Sequence, residues 1–211
     1  KDAKPDDAPR FSPDGNSLVF VRDDKNLIVM DLATKAERVV ATGYISASQR
    51  NLTWSSDGKW LAYLGLSTRS FRNAYVVPAA GGESRAVSAI PNANTNGLSW
   101  SPDGQFLVFN TSQRTEDTDV VRVDLTPKAP KFSEDQFLDL FKDEPARGGG
   151  AGGRGGAPAA RPPAAPVEID FTDIRRRVSI VPLGTNYTAQ GISPDGKWLL
   201  ASGDGNLYVY P

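Results

Sequence analysis

The chain has 211 residues, with 24 Lys and Arg against 25 Asp and Glu and a formal net charge of -1. That balance gives no field to gather nucleic acid or an anionic membrane, and no apolar run approaches the roughly 20 residues of a membrane helix, so neither partner is expected. Cysteine and histidine are both absent, which excludes disulfides, His or Cys zinc sites and His-dependent Ser or Cys nucleophiles within these residues.

The first element is one that recurs. Phe11 precedes Ser12-Pro13-Asp14-Gly15, followed by apolar runs at Leu18-Val19-Phe20-Val21, Leu27-Ile28-Val29-Met30 and Arg38-Val39-Val40. Asp-Gly between two apolar runs is a strong hairpin signal, because a tight turn needs residues that tolerate positive φ. A proline ahead of it pre-sets the turn's first bend. The order returns at Trp54-Ser55-Ser56-Asp57-Gly58, with runs at Trp60-Leu61-Ala62-Tyr63-Leu64, Ala74-Tyr75-Val76-Val77 and Ser84-Arg85-Ala86-Val87. It returns again at Trp100-Ser101-Pro102-Asp103-Gly104, followed by Phe106-Leu107-Val108-Phe109 and Val120-Val121-Arg122-Val123, with Val178-Ser179-Ile180-Val181 as a displaced fourth run. The last copy is Ile192-Ser193-Pro194-Asp195-Gly196, with Trp198-Leu199-Leu200-Ala201 and Leu207-Tyr208-Val209-Tyr210.

The four motif serines stand 43, 46 and 92 residues apart. Four short strands in about 40–50 residues are the signature of a propeller blade, and near-continuous apolar runs suit strands covered on both faces. The predicted fold is therefore all-β, a run of four-stranded antiparallel β-propeller blades over residues 8–43, 44–92, 93–127 plus 167–184, and 185–211. The last blade lacks an outermost strand. Propellers usually have about 4–8 blades, and Lys1–Asp7, polar and proline-containing, has poor strand propensity for closing a ring. The expectation is part of a larger propeller.

Residues 128–166 interrupt blade three. Ser133-Glu134-Asp135-Gln136 has the form of a capping box, with Phe137, Leu138, Leu140 and Phe141 on one helical face and Pro145 as a stop. A short helix is predicted over 133–143, docked on the propeller side. The stretch 146–166, rich in Gly, Ala and Pro, reads as a flexible linker that cannot bury apolar surface.

Asp14, Asp57, Asp103 and Asp195 recur at one turn per blade, which reads as turn chemistry rather than as a metal or acid–base cluster. Gly191 to Lys197 approaches a phosphate-binding loop, but Trp198 stands where Ser or Thr would meet magnesium, in a strand-turn-strand context. No metal and no cofactor is expected. Arg175-Arg176-Arg177 reads as a charged sheet edge, with an anion contact as the alternative. The candidate binding residues lead into the innermost strands: Arg50 and Asn51 in blade two, Asn94 and Asn96 in blade three, and Tyr187 in blade four. Their amide, guanidinium and phenol groups suit hydrogen bonding to a peptide or glycan, and ordinary polar loop filling is the competing reading.

The repeated Ser-Pro-Asp-Gly-Lys/Gln-aromatic-Leu motif resembles the TolB-type propeller repeat of bacterial periplasmic and secreted proteins. The stretch from Val123-Asp124-Leu125-Thr126-Pro127 through the acidic helix and linker to Val167-Glu168-Ile169-Asp170-Phe171-Thr172-Asp173-Ile174-Arg175-Arg176-Arg177-Val178 resembles the N-terminal propeller region of Tricorn-like serine peptidases. That resemblance implies a non-catalytic segment that gates or guides peptides toward a catalytic region outside these residues. Its implied partners are peptides or unfolded protein segments and the rest of its own polypeptide, and the sequence also admits a homo-oligomer. The alternatives are a stand-alone TolB-like propeller that binds proteins or glycans, and a propeller fused to another hydrolase. By resemblance the location is periplasmic or secreted, and a cytoplasmic one stays open.

Overall fold

A computed structural model describes residues 5–45, 48, 51–67, 71–90, 93–113, 117–128, 165–184 and 186–211. The predicted helix over 133–143 and the linker up to residue 164 lie outside the described residues, as does Arg50.

Four antiparallel sheets follow one another along the chain and resemble propeller blades. Blade one is β1 (Asp6–Phe11), β2 (Ser17–Arg22), β3 (Asn26–Asp31) and β4 (Glu37–Thr42), each paired with the next. Blade two is β5 (Leu52–Trp54), β6 (Trp60–Leu66), β7 (Arg72–Pro78) and β8 (Arg85–Ala86). Blade three is β9 (Ala93–Trp100), β10 (Phe106–Gln113), β11 (Asp119–Asp124) and β12 (Val178–Ile180), the last reached after the interruption. Blade four has three strands, β13 (Thr188–Ile192), β14 (Leu199–Gly203) and β15 (Asn206–Tyr210). The first strands adjoin in series, β1 with β5, β5 with β9 and β9 with β13, which makes them the inner strands of a radial stack.

β1 begins at Asp6, within the stretch whose composition argues against a strand. Asp6 stands opposite Arg22 in the ladder and takes its guanidinium at 2.7 Å. This cross-strand ion pair offsets the low propensity of the position.

Strand alternation sorts each blade into two faces. Val19, Val21, Leu27 and Val29 of blade one meet Leu61, Tyr63 and Val77 of blade two. Ala62, Leu64, Ala74 and Val76 on the other side of blade two meet Leu107, Phe109, Val121 and Val123 of blade three. Val108 and Val120 then meet Ala189, Leu199 and Ala201 of blade four. The same register leaves Leu200, Leu207 and Val209 on the far side of blade four, paired as Leu200–Val209 and Ser202–Leu207. There Leu207 is 69% and Val209 62% exposed, where their counterparts Ala74 and Val76 are fully covered.

The recurring turn repeats its bonding. The motif serine Oγ accepts the backbone N–H five residues on, from Ser17, Trp60, Phe106 and Trp198, at 2.9–3.0 Å. The motif glycines all adopt a φ of 70–74°, which only glycine takes without strain. Ser12, Ser55 and Ser193 also donate to Asp14, Asp57 and Asp195. These bonds are the largest cause of the lowered carboxyl pKa at Asp14 and Asp195. At Asp57 burial pushes upward, but hydrogen bonds from Ser55 and the N–H groups of Val167 and Lys59 outweigh it. A carboxyl held low in the folded state contributes stability above its unfolded value, about 3.9, and loses it as pH falls through the folded value. The urea midpoint is expected to decline as pH drops below about 4, with a shallower decline in Asp57→Asn, followed by fluorescence.

The returning segment crosses between blades two and three. Val167 N–H donates to Asp57 Oδ2 at 2.9 Å, and Asp170 N–H to Leu125 O at 3.0 Å. Val167 is buried, Ile169 and Phe171 pack on the core between these blades, and a 3-10 turn, Ile174–Arg177, leads into β12.

Candidate functional site

Of the candidate residues, the structure brings Asn51 and Asn96 to one small hub on the inner strands. β9 is irregular between Asn96 and Ser99, where its pairing with β10 shifts register. Gly97 sits in this bulge at φ 69°, a conformation that favours glycine. Its N–H donates to Asn51 Oδ1 at 3.1 Å, tying blade three to the start of β5. Opposite the bulge on β10 is Asn110, fully buried among apolar neighbours. Asn110 Oδ1 accepts the Ala189 N–H at 2.7 Å, and its Nδ2 donates to Ala189 O at 3.3 Å. The same Nδ2 lies 3.2 Å from Asn96 Oδ1. One buried amide thus reproduces both halves of a backbone ladder to blade four. That satisfies groups that would cost about 1–3 kcal/mol each if buried unpaired.

Asn51 is buried and bonded within the stack, whereas Asn96 is exposed and accepts from Asn110. Asn94 lies on β9 three residues before Gly97. Tyr187, two residues before Ala189, packs against Tyr208 and Tyr210 with ring centroids 5.1 and 6.1 Å away in edge-on geometry. Lost hydration pushes its phenol pKa up, and the two neighbouring phenols add to the effect. Asn51 and Asn96 therefore meet at the Gly97–Asn110 hub, with Asn96 the more accessible of the two amides, while Tyr187 packs into a separate aromatic group on blade four. Gly97 and Asn110, which organise that hub, are absent from the sequence-based candidates. The available signal was an asparagine closing the apolar run Phe106–Phe109 and a glycine inside a strand.

Among the described residues no group of three or more acidic side chains is placed to hold a metal ion. The chemistry on offer is neutral hydrogen bonding from inner-strand amides, together with the clefts between blades.

The architecture defines a β-propeller of the TolB and prolyl-oligopeptidase type. A model of the WD domain, G-beta repeat, matches residues 186–210. The fold is similar to a TolB-type protein of Agrobacterium tumefaciens, with a TM-score of 0.56 and 18% identity over 98% of this chain and 57% of that one. TolB from Acinetobacter baumannii gives a TM-score of 0.56 at 16% identity, covering 98% of this chain and 40% of that one. In sequence, the chain is distantly homologous to peptidase YuxL of Bacillus subtilis (strain 168), 23% identical over 92% of this chain and 29% of that protein. It is likewise homologous to dihydro-heme d1 dehydrogenase of Pseudomonas aeruginosa, 29% identical over 92% of this chain and 39% of that protein. The chain spans less than two-fifths of the length of either curated relative.

Proposed function

We propose that this chain is the non-catalytic propeller segment of a Tricorn-like peptidase, gating or guiding peptides toward a catalytic region carried elsewhere in the polypeptide. The observation that carries this reading is the alignment of 92% of the chain with 29% of a peptidase. Two features support it. The chain has no histidine or cysteine for a hydrolytic centre, and the bare apolar side of blade four suits continuation of the stack. A periplasmic or secreted location accompanies the proposal. Purified intact polypeptide from its source is expected to hydrolyse unstructured peptides, and the 211-residue chain alone to hydrolyse none. An intact polypeptide without peptidase activity would overturn the reading.

A second reading has its own support, because likeness to TolB extends over 98% of the chain. In it the propeller binds protein partners or glycans with no peptidase attached.

A further inference from the structure

The returning segment occupies one inter-blade groove, and the groove before it carries part of the same set of residues and leaves a hollow. Between blades two and three, Val167 to Phe171 runs with its apolar residues alternating with Glu168 and Asp170. Val167 N–H is held by Asp57, and a Cβ at Gly104 would overlap the Val167 side chain. The Phe171 ring lies 6.1 Å from Trp60 and has the Arg85 guanidinium 4.6 Å above it. Register identifies the counterparts between blades one and two. Arg38 stands opposite Val29 as Arg85 stands opposite Val76, so Arg38 corresponds to Arg85. Asp14 corresponds to Asp57, and Gly58 to Gly104. Ser17, the residue two after the motif glycine, takes the place of Trp60.

Two differences shape what is left open. Pro13 Cδ lies 3.7 Å from where a Cβ at Gly58 would begin, so proline occupies the place that Val167 takes in the next groove. Blade two has Ser56 at the position of Pro13, which leaves that place free for Val167. The remainder of the first groove, matching the path of Ile169 and Phe171, is a hollow of about 500 Å³. Val29, Trp54, Pro78 and Ala79 wall it, and Arg38 and Lys59 stand at it. Among the described residues Arg38 forms no ion pair and donates to Ala79 O at 2.9 Å, while the Lys59 charge acts on the Asp57 carboxylate. Asp14, which also lines the hollow, accepts from Ser12 and Asn16 within its own turn.

We propose that the groove between blades one and two binds an extended peptide whose aromatic side chain is flanked by carboxylates, in the manner of this chain's own Val167–Phe171 segment one groove further on. The ring lies beneath the Arg38 guanidinium, as Phe171 lies beneath Arg85, and the carboxylates face Arg38 and Lys59. A planar cation over a ring and a desolvated aromatic surface favour this occupant over a basic or purely aliphatic one. The pattern is the alternation of an extended strand, with side chains supplying the specificity. This deepens the peptide-binding half of the proposed function and rests on that half alone.

The test is titration of the 211-residue chain with an acetylated, amidated peptide of sequence Val-Glu-Ile-Asp-Phe, read by NMR shifts of the Trp54 and Trp60 indole N–H groups. The expected result is saturable shifts, with binding about tenfold weaker or more for the Phe-to-Ala peptide or for Arg38→Ala, one decade being about 1.4 kcal/mol. Arg38→Glu should abolish binding by setting a carboxylate against the ring and the peptide's own carboxylates, and its folding is checked by the unchanged dispersion of the remaining amides. Undiminished binding in Arg38→Glu would place the peptide outside this groove and overturn the proposal, as would the absence of saturable shifts in the native chain. Groove binding in a polypeptide that lacks peptidase activity would leave this proposal standing and remove the peptidase. Peptidase activity without groove binding would do the reverse.

Discussion

Gly97→Ala is expected to destabilise the chain by about 2–4 kcal/mol, among the largest effects of any single added methyl group. Two costs act together. The backbone at Gly97 has φ 69°, which an alanine adopts only with strain. The new Cβ would also overlap Asn110 Nδ2, the atom that donates to Ala189 O and Asn96 Oδ1. Moving Asn110 aside leaves the Ala189 N–H and C=O without their partner in a buried place, and shifting Gly97 strains its bond to Asn51. Urea unfolding followed by tryptophan fluorescence measures the loss. Asn110→Ala, which makes room for the methyl but removes the amide, should not restore stability when combined with Gly97→Ala. A change below about 0.5 kcal/mol in the single variant would mean that the hub does not join the blades.

The second large effect separates the two sides of the stack. Phe109→Ala removes the largest of the fully buried side chains among the described residues, in the core between blades two and three, and is expected to cost about 3–5 kcal/mol. Trp198→Ser removes a bulkier side chain, yet in the isolated chain it is expected to cost well under half as much. Trp198 is 46% exposed, on the side of blade four where Leu207 and Val209 are also open. The contrast is informative because both residues sit in equivalent apolar runs after a motif glycine. Urea midpoints of the two variants give the comparison directly. In a longer polypeptide with a further blade covering that side, the cost of Trp198→Ser should rise toward that of the buried position, since burial sets the transfer and cavity terms.

The blades were legible because their signals are local and repeated. Each motif holds a turn whose serine, aspartate and glycine bond within six residues, and each following run alternates between the two faces of its blade. The place of Asp6 in β1 was less legible, since its support comes from Arg22 across the ladder rather than from its own propensity. The inner-strand site was legible only in part. Asn51 and Asn96 read as polar groups at the rim, but their bonding depends on a bulge at Gly97 and on Asn110, partners visible only after the strands pair. Tyr187 likewise meets Tyr208 and Tyr210 only once blade four has formed. The clasp between Val167 and Asp57 joins residues 110 apart in the chain, beyond the reach of any local pattern. Its one trace in the sequence is Ser56, the single departure from proline among the four motifs.

The most direct test of the central reading is the intact mass of the native polypeptide in its source cells, detected with an antibody against this segment. A mass several-fold above 22.6 kDa is the expected result, in keeping with a propeller segment that serves a catalytic region elsewhere in the same chain. A mass near 22.6 kDa would contradict it and leave a stand-alone binding propeller.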